Sequence, residues 1–158
     1  MSHAADSELV VVDASVAAMW VLSEAHSSSA LSLAADWVRA EVQAIAPGFM
    51  LTEVTNAVYK RVRRGELSVS QAREALDVVL SFGVRLEESP DLHRRALDLA
   101  YRFNRPTPYD AHYLALAELH TCEVWTGDER LYNAVGPYFS WLRWVGTYQP
   151  TGNRPRER

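Results

Sequence analysis

The chain has 158 residues, of which 48% are hydrophobic and 23% charged, and its formal net charge is −4 at pH 7. A chain of this length forms about one domain and needs no disulfide or structural metal to fold. The single cysteine, Cys122, excludes an intramolecular disulfide and a cysteine-based zinc site. The negative balance argues against a protein that coats nucleic acid non-specifically, but a nuclease stays possible because divalent cations offset clustered carboxylates.

No segment of the sequence predicts a membrane span or a secretory signal. The longest apolar run extends from Leu9 to Leu22, is interrupted by Asp13, and is too short to cross a bilayer. Residues 1–8 contain Asp6 and Glu8 but no Lys or Arg, so the basic start of a signal peptide is missing. Because a single unpaired thiol also fits a reducing compartment, we expect a cytoplasmic protein with no membrane association.

The first half of the chain predicts strands and helices in alternation. The β-branched run Leu9–Val12 is typical of a strand buried on both faces. A helix is expected from Ser15 through Leu22, followed by a serine-rich turn over residues 23–29. The hydrophobic rhythm then predicts a helix over 30–40, a strand over 42–46 and a helix over 49–63, which Gly65 ends.

The second half carries clearer helix start signals. Ser68 and Gln71 have the spacing of a capping box for a helix that runs to about residue 82. Ser89-Pro90 starts a helix to about residue 103, and Thr107-Pro108 repeats this signal before a helix that carries Asp110. Strands are expected at 84–86, 123–125 and 141–145, with a short helix from 128 to 134.

This alternation predicts an α/β fold with three layers. Strands joined by helices imply right-handed βαβ crossovers, and therefore a central, mostly parallel sheet of four to five strands with helices on both faces. We expect one domain over residues 9–148, a flexible N-terminus at 1–8 and a flexible basic tail at 149–158.

Four acidic residues are placed where such a fold binds ligands, outside the carboxyl ends of the strands. Asp13 and Asp128 follow strands, Asp110 lies in the first turn of a helix, and Glu53 lies near the start of another. Taken singly, an Asp at a helix start can simply cap the helix, and Glu53 can be a solvated helix residue. Asp13 differs, because a carboxylate within an apolar run is costly to bury unless it is paired or metal-bound.

Carboxylate oxygens that converge on one point would suit Mg²⁺ or Mn²⁺. A cation relieves the repulsion between like charges, and it can activate water and stabilise charge that develops on phosphorus. The natural reaction class for this set of residues is therefore phosphodiester hydrolysis by a metal-activated water.

The segments around the acids also carry a family resemblance. In order, they resemble the four acidic motifs of the PIN-domain superfamily, most closely those of VapC-type toxins of toxin–antitoxin pairs. The resemblance spans about residues 9 to 145 and rests on Val11-Val-Asp-Ala-Ser15, Leu51-Thr-Glu-Val-Thr-Asn-Ala57, Tyr109-Asp-Ala-His-Tyr-Leu-Ala-Leu-Ala117 and Thr126-Gly-Asp-Glu-Arg-Leu131.

The resemblance implies a PIN-like fold and a Mg²⁺- or Mn²⁺-dependent endoribonuclease that acts as the toxin of a type II toxin–antitoxin system. It implies RNA as substrate, a homodimer, and a small antitoxin that inserts a segment near the acids. The implied catalytic and metal-binding residues are Asp13, Glu53, Asp110 and Asp128, and the implied supporting residues are Ser15, Asn56 and Thr126.

Several features leave alternatives open. Arg102 and Arg105 precede Asp110 and are candidates to meet the substrate backbone, whereas the basic cluster Lys60–Arg64 is also explained by favourable charge at a helix C-terminus. His112 is a possible general base, although packing is the simpler interpretation.

The sequence is compatible with other functions. One is a non-catalytic PIN-fold module that binds RNA or antitoxin, and another is a DNA-directed nuclease. A third is a phosphatase with Asp13 as nucleophile, although such phosphatases usually have a second Asp at the position of Ser15.

Overall fold

The computed structural model describes residues 7–150. Strands and helices alternate through most of this range, and two 3₁₀ turns follow α7 and β5, at Gly136–Tyr138 and Val145–Thr147. The strands are β1 (Leu9–Val12), β2 (Gln43–Pro47), β3 (Arg85–Glu87), β4 (Glu123–Thr126) and β5 (Leu142–Trp144). The α-helices are α1 (Ala14–Met19), α2 (Ser27–Arg39), α3 (Met50–Arg63), α4 (Val69–Ser81), α5 (Pro90–Arg102), α6 (Tyr109–His120) and α7 (Glu129–Val135).

The sheet has five strands in the order β3-β2-β1-β4-β5, and every pair of neighbours is parallel. The α/β prediction is confirmed, and the expectation of a mostly parallel sheet is replaced by an all-parallel one. In the central pairs, Val10 is opposite Ala44 of β2 and Val11 is opposite Val124 of β4. The chain builds β2 and β3 on one side of β1 and then returns to its other side, so the strand order reverses between β1 and β4.

The core lies against the central strands. Val11 and Val12 of β1 have no exposed surface, as expected for a strand that is covered on both faces. Helix α6 contacts β1, β2 and α5, and its residues 111–117 are all buried. A helical segment that is buried on every side is stable only where neighbours surround it, so the central part of α6 lies among other elements of the domain.

Element boundaries differ from the sequence prediction at three places. Helix α1 begins at Ala14, with Asp13 as its N-cap, and ends at Met19 rather than continuing to Leu22. Ser27 belongs to α2 instead of a long serine-rich turn, and its hydroxyl donates to the carbonyl of Leu22.

The start of α6 also differs from the prediction. Pro108 is the N-cap rather than the first helical residue, and no side chain caps this end. Thr107 therefore does not act as the expected N-cap. Instead, His112 reaches back over one turn, and its Nδ1 lies 2.7 Å from the Pro108 carbonyl oxygen, which ties the first turn of α6 together.

The expected flexible ends, residues 1–8 and 149–158, fall almost wholly outside the described range. Within residues 7–150, every helix is too short or too polar to cross a bilayer.

Two leucines on α5 give a matched test of the core. Leu99 is fully buried, whereas Leu97 is 67% exposed. We expect Leu99→Ala to lower the free energy of unfolding by about 2–5 kcal/mol, because it leaves a cavity, and Leu97→Ala to change it by about 0.5 kcal/mol or less. Urea denaturation of both variants measures this difference, and equal losses would contradict the placement of α5.

Candidate active site

A cavity of about 440 Å³ opens at the carboxyl ends of β1 and β4, where the strand order reverses. Parallel α/β sheets bind ligands at such a reversal, because the loops leaving the two strands diverge there. All four predicted acids line this cavity: Asp13, Glu53, Asp110 and Asp128. Folding thus brings together side chains that are up to 115 residues apart in the chain.

Asp13 is positioned by the edges of two strands. It follows β1 directly, and its backbone N–H donates to the Trp125 carbonyl of β4 at 3.0 Å, which extends the β1–β4 pairing by one residue. Its Oδ2 accepts a 2.8 Å hydrogen bond from the hydroxyl of Thr126, which is fully buried. Asp13 therefore serves as the N-cap of α1 and as a wall of the cavity at once.

Thr126 and Ser15 join Asp13 to the turn that carries Asp128. The hydroxyl oxygen of Thr126 accepts from the Asp128 N–H at 3.0 Å, and the hydroxyl oxygen of Ser15 accepts from the Gly127 N–H at 2.8 Å. A Cβ on Gly127 would lie only 2.6 Å from Met19 Cε, so a larger residue there forces the Met19 side chain to move. The turn is held closely against α1 by these contacts.

Glu53 is tied to α6. Its Oε1 accepts a 2.7 Å hydrogen bond from the hydroxyl of Tyr113, which is almost completely buried. The ring of Phe49, just before α3, packs edge-on against Tyr113 and His112 at centroid distances of 5.7 and 5.2 Å. These contacts fix the start of α3 relative to α6, so they set the separation of Glu53 and Asp110.

In Asp110 and in Asp128, one carboxylate oxygen accepts hydrogen bonds from other groups of the protein. Asp110 Oδ2 accepts from Arg105 Nη2 at 3.3 Å, in a mostly buried ion pair. Asp128 Oδ1 accepts from the backbone N–H groups of Arg130 and Leu131, and thereby caps α7. Glu53 also uses one oxygen, whereas Asp13 uses both, because its Oδ1 accepts a longer 3.4 Å hydrogen bond from the Ser15 N–H.

Burial and mutual repulsion raise the affinity of the acids for protons. Burial is the main cause that raises the pKa of Asp13 to about 7; the hydrogen bond from Thr126 opposes it, and the charges of Asp110 and Glu53 add to it. Burial likewise raises the pKa of Glu53, with a further contribution from Asp110, and the pKa of Asp110, with a further contribution from Asp128. The cavity thus favours the uptake of positive charge, whether as protons or as a cation.

The donor set suits a hard divalent cation, because it consists of carboxylate oxygens around an open cavity of sufficient size. Among the described residues, no three His, Cys, Asp or Glu side chains are close enough, as they stand, to hold one ion together. Binding of one cation would therefore bring these carboxylates closer together than they lie in this structure.

Other predicted residues lie outside this cavity. Asn56 is exposed on α3 and does not line it. Arg102 is exposed at the end of α5, above the ring of Phe103, whereas Arg105 reaches Asp110. His112 is buried, and its Nε2 lies 3.0 Å from Nδ1 of His93, so it serves as a packing residue of α6.

Sequence reasoning missed three residues at the site. Tyr113 lies in the segment that carries Asp110, but the sequence there indicates a core aromatic residue. Gly127 has the sequence context of an ordinary turn residue. Glu24, in the segment after α1, lines the cavity. The position of Tyr113, one helical turn after Asp110 on a buried helix, is the only one of these signals that could have been found in advance.

A larger cavity, of about 740 Å³, lies at the opposite, amino-terminal edge of the sheet. Two of its lining residues, Arg85 and His120, already contact Glu87. Since the predicted acids all line the smaller cavity, that cavity is the candidate active site.

The pH dependence of stability tests the environment of Asp13. A raised carboxyl pKa means that the folded protein holds a proton more tightly than the unfolded chain, so metal-free protein loses stability as pH rises from about 4 to about 7. Asp13→Asn removes the part of this loss that Asp13 causes, while Glu53 and Asp110 keep theirs. We expect the thermal midpoint of the variant to exceed that of the parent at about pH 8, with a smaller difference near pH 5.

Asp77→Asn, on an exposed position of α4, is the control and should keep the pH profile of the parent. Parallel profiles for Asp13→Asn and the parent would show that the Asp13 carboxyl titrates alike in the folded and unfolded protein.

Comparison with known proteins identifies the family. Residues 10–136 match the PIN domain family. The fold is similar to the crystal structure of PAE2754 from Pyrobaculum aerophilum, with a TM-score of 0.62 and 25% sequence identity, covering 89% of this chain and 93% of that chain. No curated protein matches the chain. PIN domains are generally nucleases, and those nucleases usually use divalent metals. Since the match covers most of its length, the chain belongs to the PIN domain family.

Proposed function

We propose that this protein is a Mg²⁺- or Mn²⁺-dependent endoribonuclease whose catalytic residues are Asp13, Glu53, Asp110 and Asp128. The observation that carries the proposal is that these four acids, which the motifs single out, line one cavity at the strand-order reversal. Membership of a nuclease family supports the reaction class.

Asp13, Glu53, Asp110 and Asp128 would hold the cation through the carboxylate oxygens that face the cavity. When bound, the metal lowers the pKa of a water molecule and stabilises the charge that develops on phosphorus. The raised pKa of Asp13 means that this carboxyl must lose its proton before it can serve as a ligand.

The surrounding residues orient the acids. Thr126 holds one oxygen of Asp13, Tyr113 holds one oxygen of Glu53, and Arg105 holds one oxygen of Asp110. Each bond directs the other oxygen away from its donor, and Ser15 supports Thr126 at 3.4 Å. Such fixed hydrogen bonds position ligands without a large entropy cost at the moment of binding. Asn56, which lies outside the cavity, would contribute only through substrate contacts.

The biological setting is the finer part of the proposal. The local sequence around the four motifs supports a VapC-type toxin of a type II toxin–antitoxin system, which acts in the cytoplasm on RNA. The same resemblance supports a homodimer and a small antitoxin that inserts a segment near the acids. A cationic segment would suit the negative charge of the cavity.

Cleavage of RNA tests the catalytic assignment. We expect the parent protein to cut a single-stranded RNA in the presence of Mg²⁺ or Mn²⁺ and to stop when EDTA is added. Asp13→Asn, Glu53→Gln and Asp110→Asn should each reduce the rate at least about a hundredfold, since each removes a charge that holds the cation. Denaturing gel electrophoresis of an end-labelled RNA gives the rates.

Asp77→Asn again provides the matched control, since it removes a carboxylate charge on an exposed position away from the cavity. The proposal fails if the parent leaves RNA intact at every metal concentration while it still binds RNA, because that is the behaviour of a non-catalytic module. Preferential cleavage of DNA would support the proposed metal site but would show that the substrate is DNA rather than RNA.

A further inference from the structure

A second cleft lies close to the acids, between the end of α5 and the end of α7. It has a volume of about 280 Å³ and is lined by Arg102, Phe103, Asn104, Ala134 and Tyr138. None of these residues lines the acidic cavity. The cleft combines a cation with aromatic surface, which is the combination that binds single-stranded nucleic acid.

Arg102 presents an unpaired positive charge in this cleft. Within residues 7–150 no carboxylate lies within ion-pair distance of it, and Asp98, one turn earlier on α5, is also too far away. Its guanidinium lies over the Phe103 ring at 5.1 Å, and that ring packs edge-on against Phe139 at 6.4 Å. The cation is therefore held by an anchored aromatic ring rather than by an acid, and it stays available to a phosphate.

Tyr138 supplies the exposed aromatic surface. It is 71% exposed, and it follows α7 in a 3₁₀ turn next to buried Phe139. Tyr101, which precedes Arg102, is 90% exposed. Tyr138 lines the cleft together with Arg102, so its flat apolar face is available there for a base to stack on.

Helix α7 connects this cleft to the acids. Asp128 caps its first turn, and Ala134, six residues later and so about 9 Å along the helix, lines the cleft. Arg130 lies between them, on the same helix face as Ala134 because the two are four residues apart. Arg130 is exposed and also has no ion-pair partner among the described residues.

We propose that this cleft is a substrate subsite that binds a nucleotide of a single-stranded RNA next to the cleavage position, with Tyr138 stacking on its base and Arg102 contacting its phosphate. Arg130 contacts the phosphate between the cleft and the acids. This inference rests on the proposed ribonuclease function and adds the path of the strand. A paired base cannot stack on Tyr138, since its faces are already covered by neighbouring bases.

Binding of a labelled RNA tests the subsite. The probe is a fluorescein-labelled oligoadenylate of about 12 nucleotides, which is long enough to span one binding domain. All proteins in this experiment carry Asp13→Asn, so that cleavage of the probe does not interfere. We expect Tyr138→Ala to weaken binding about 5- to 150-fold, the effect of removing one base–aromatic stack, with an unchanged salt dependence. Arg102→Gln should weaken binding and lower the slope of log affinity against log salt by about 0.7. Fluorescence anisotropy gives both quantities.

Tyr59→Ala and Arg73→Gln are matched controls, because both residues are exposed and lie on α3 and α4, away from the cleft. Both should bind the probe like the parent. If Tyr59→Ala weakens binding and Tyr138→Ala does not, the strand runs along α3 and the proposal is wrong. Equal affinity for the single strand and for its duplex with oligouridylate would also overturn it.

Cleavage rates separate this inference from the proposed function. With Asp13 restored, Tyr138→Ala should raise KM and leave kcat within about twofold, because the stack contributes to binding in the ground state and the transition state alike. If the parent cleaves RNA in a metal-dependent way and both cleft variants keep the KM of the parent, the ribonuclease assignment stands and only the subsite is rejected.

Discussion

The burial of carboxylates around one cavity is the constraint on which the rest of the structure depends. Burial and the neighbouring acids raise the pKa of Asp13 to about 7 and shift Glu53 and Asp110 in the same direction. A fold gains nothing from such a cluster when it is empty, because removal of one charge would relieve both the repulsion and the cost of desolvation. A proton or a bound cation would relieve this cost, so the proposed metal site predicts that the metal-free protein is least stable above about pH 7, where Asp13 is ionised.

The sheet provides the rigidity that this site requires. Asp13 and Asp128 follow neighbouring strands at the strand-order reversal, and Thr126 joins them with a hydrogen bond to each. The two remaining acids lie on helices that Phe49 and Tyr113 hold together. The separations in the cavity are thus determined by strand pairing on one side and by helix packing on the other, which are the least mobile contacts of a small domain.

The sequence predicts the helices and strands well where local chemistry decides them. The capping box at Ser68 and the glycine after α3 are both confirmed, because they depend on hydrogen bonds and backbone angles within a few residues. The start of α6 differs from the prediction, because Pro108 is the N-cap and no side chain caps this end; His112 Nδ1 contacts the Pro108 carbonyl oxygen instead. Tyr113 was missed for a related reason: only the packing of α6 against α3 directs its hydroxyl to Glu53. Motif order predicts that the four acids share a site, and all four line one cavity, whereas their burial depends on the assembled sheet and helices.

The cation site can be tested most directly by crystallography with Mn²⁺, whose anomalous scattering locates the ion without reference to any assumed ligand. The account predicts a peak in the cavity with oxygens of Asp13 and at least two of the other three acids at about 2.0–2.6 Å. It also predicts that this peak disappears in Asp13→Asn crystals treated in the same way. An empty cavity at saturating Mn²⁺ in crystals grown above about pH 7, where Asp13 is ionised, would contradict the account.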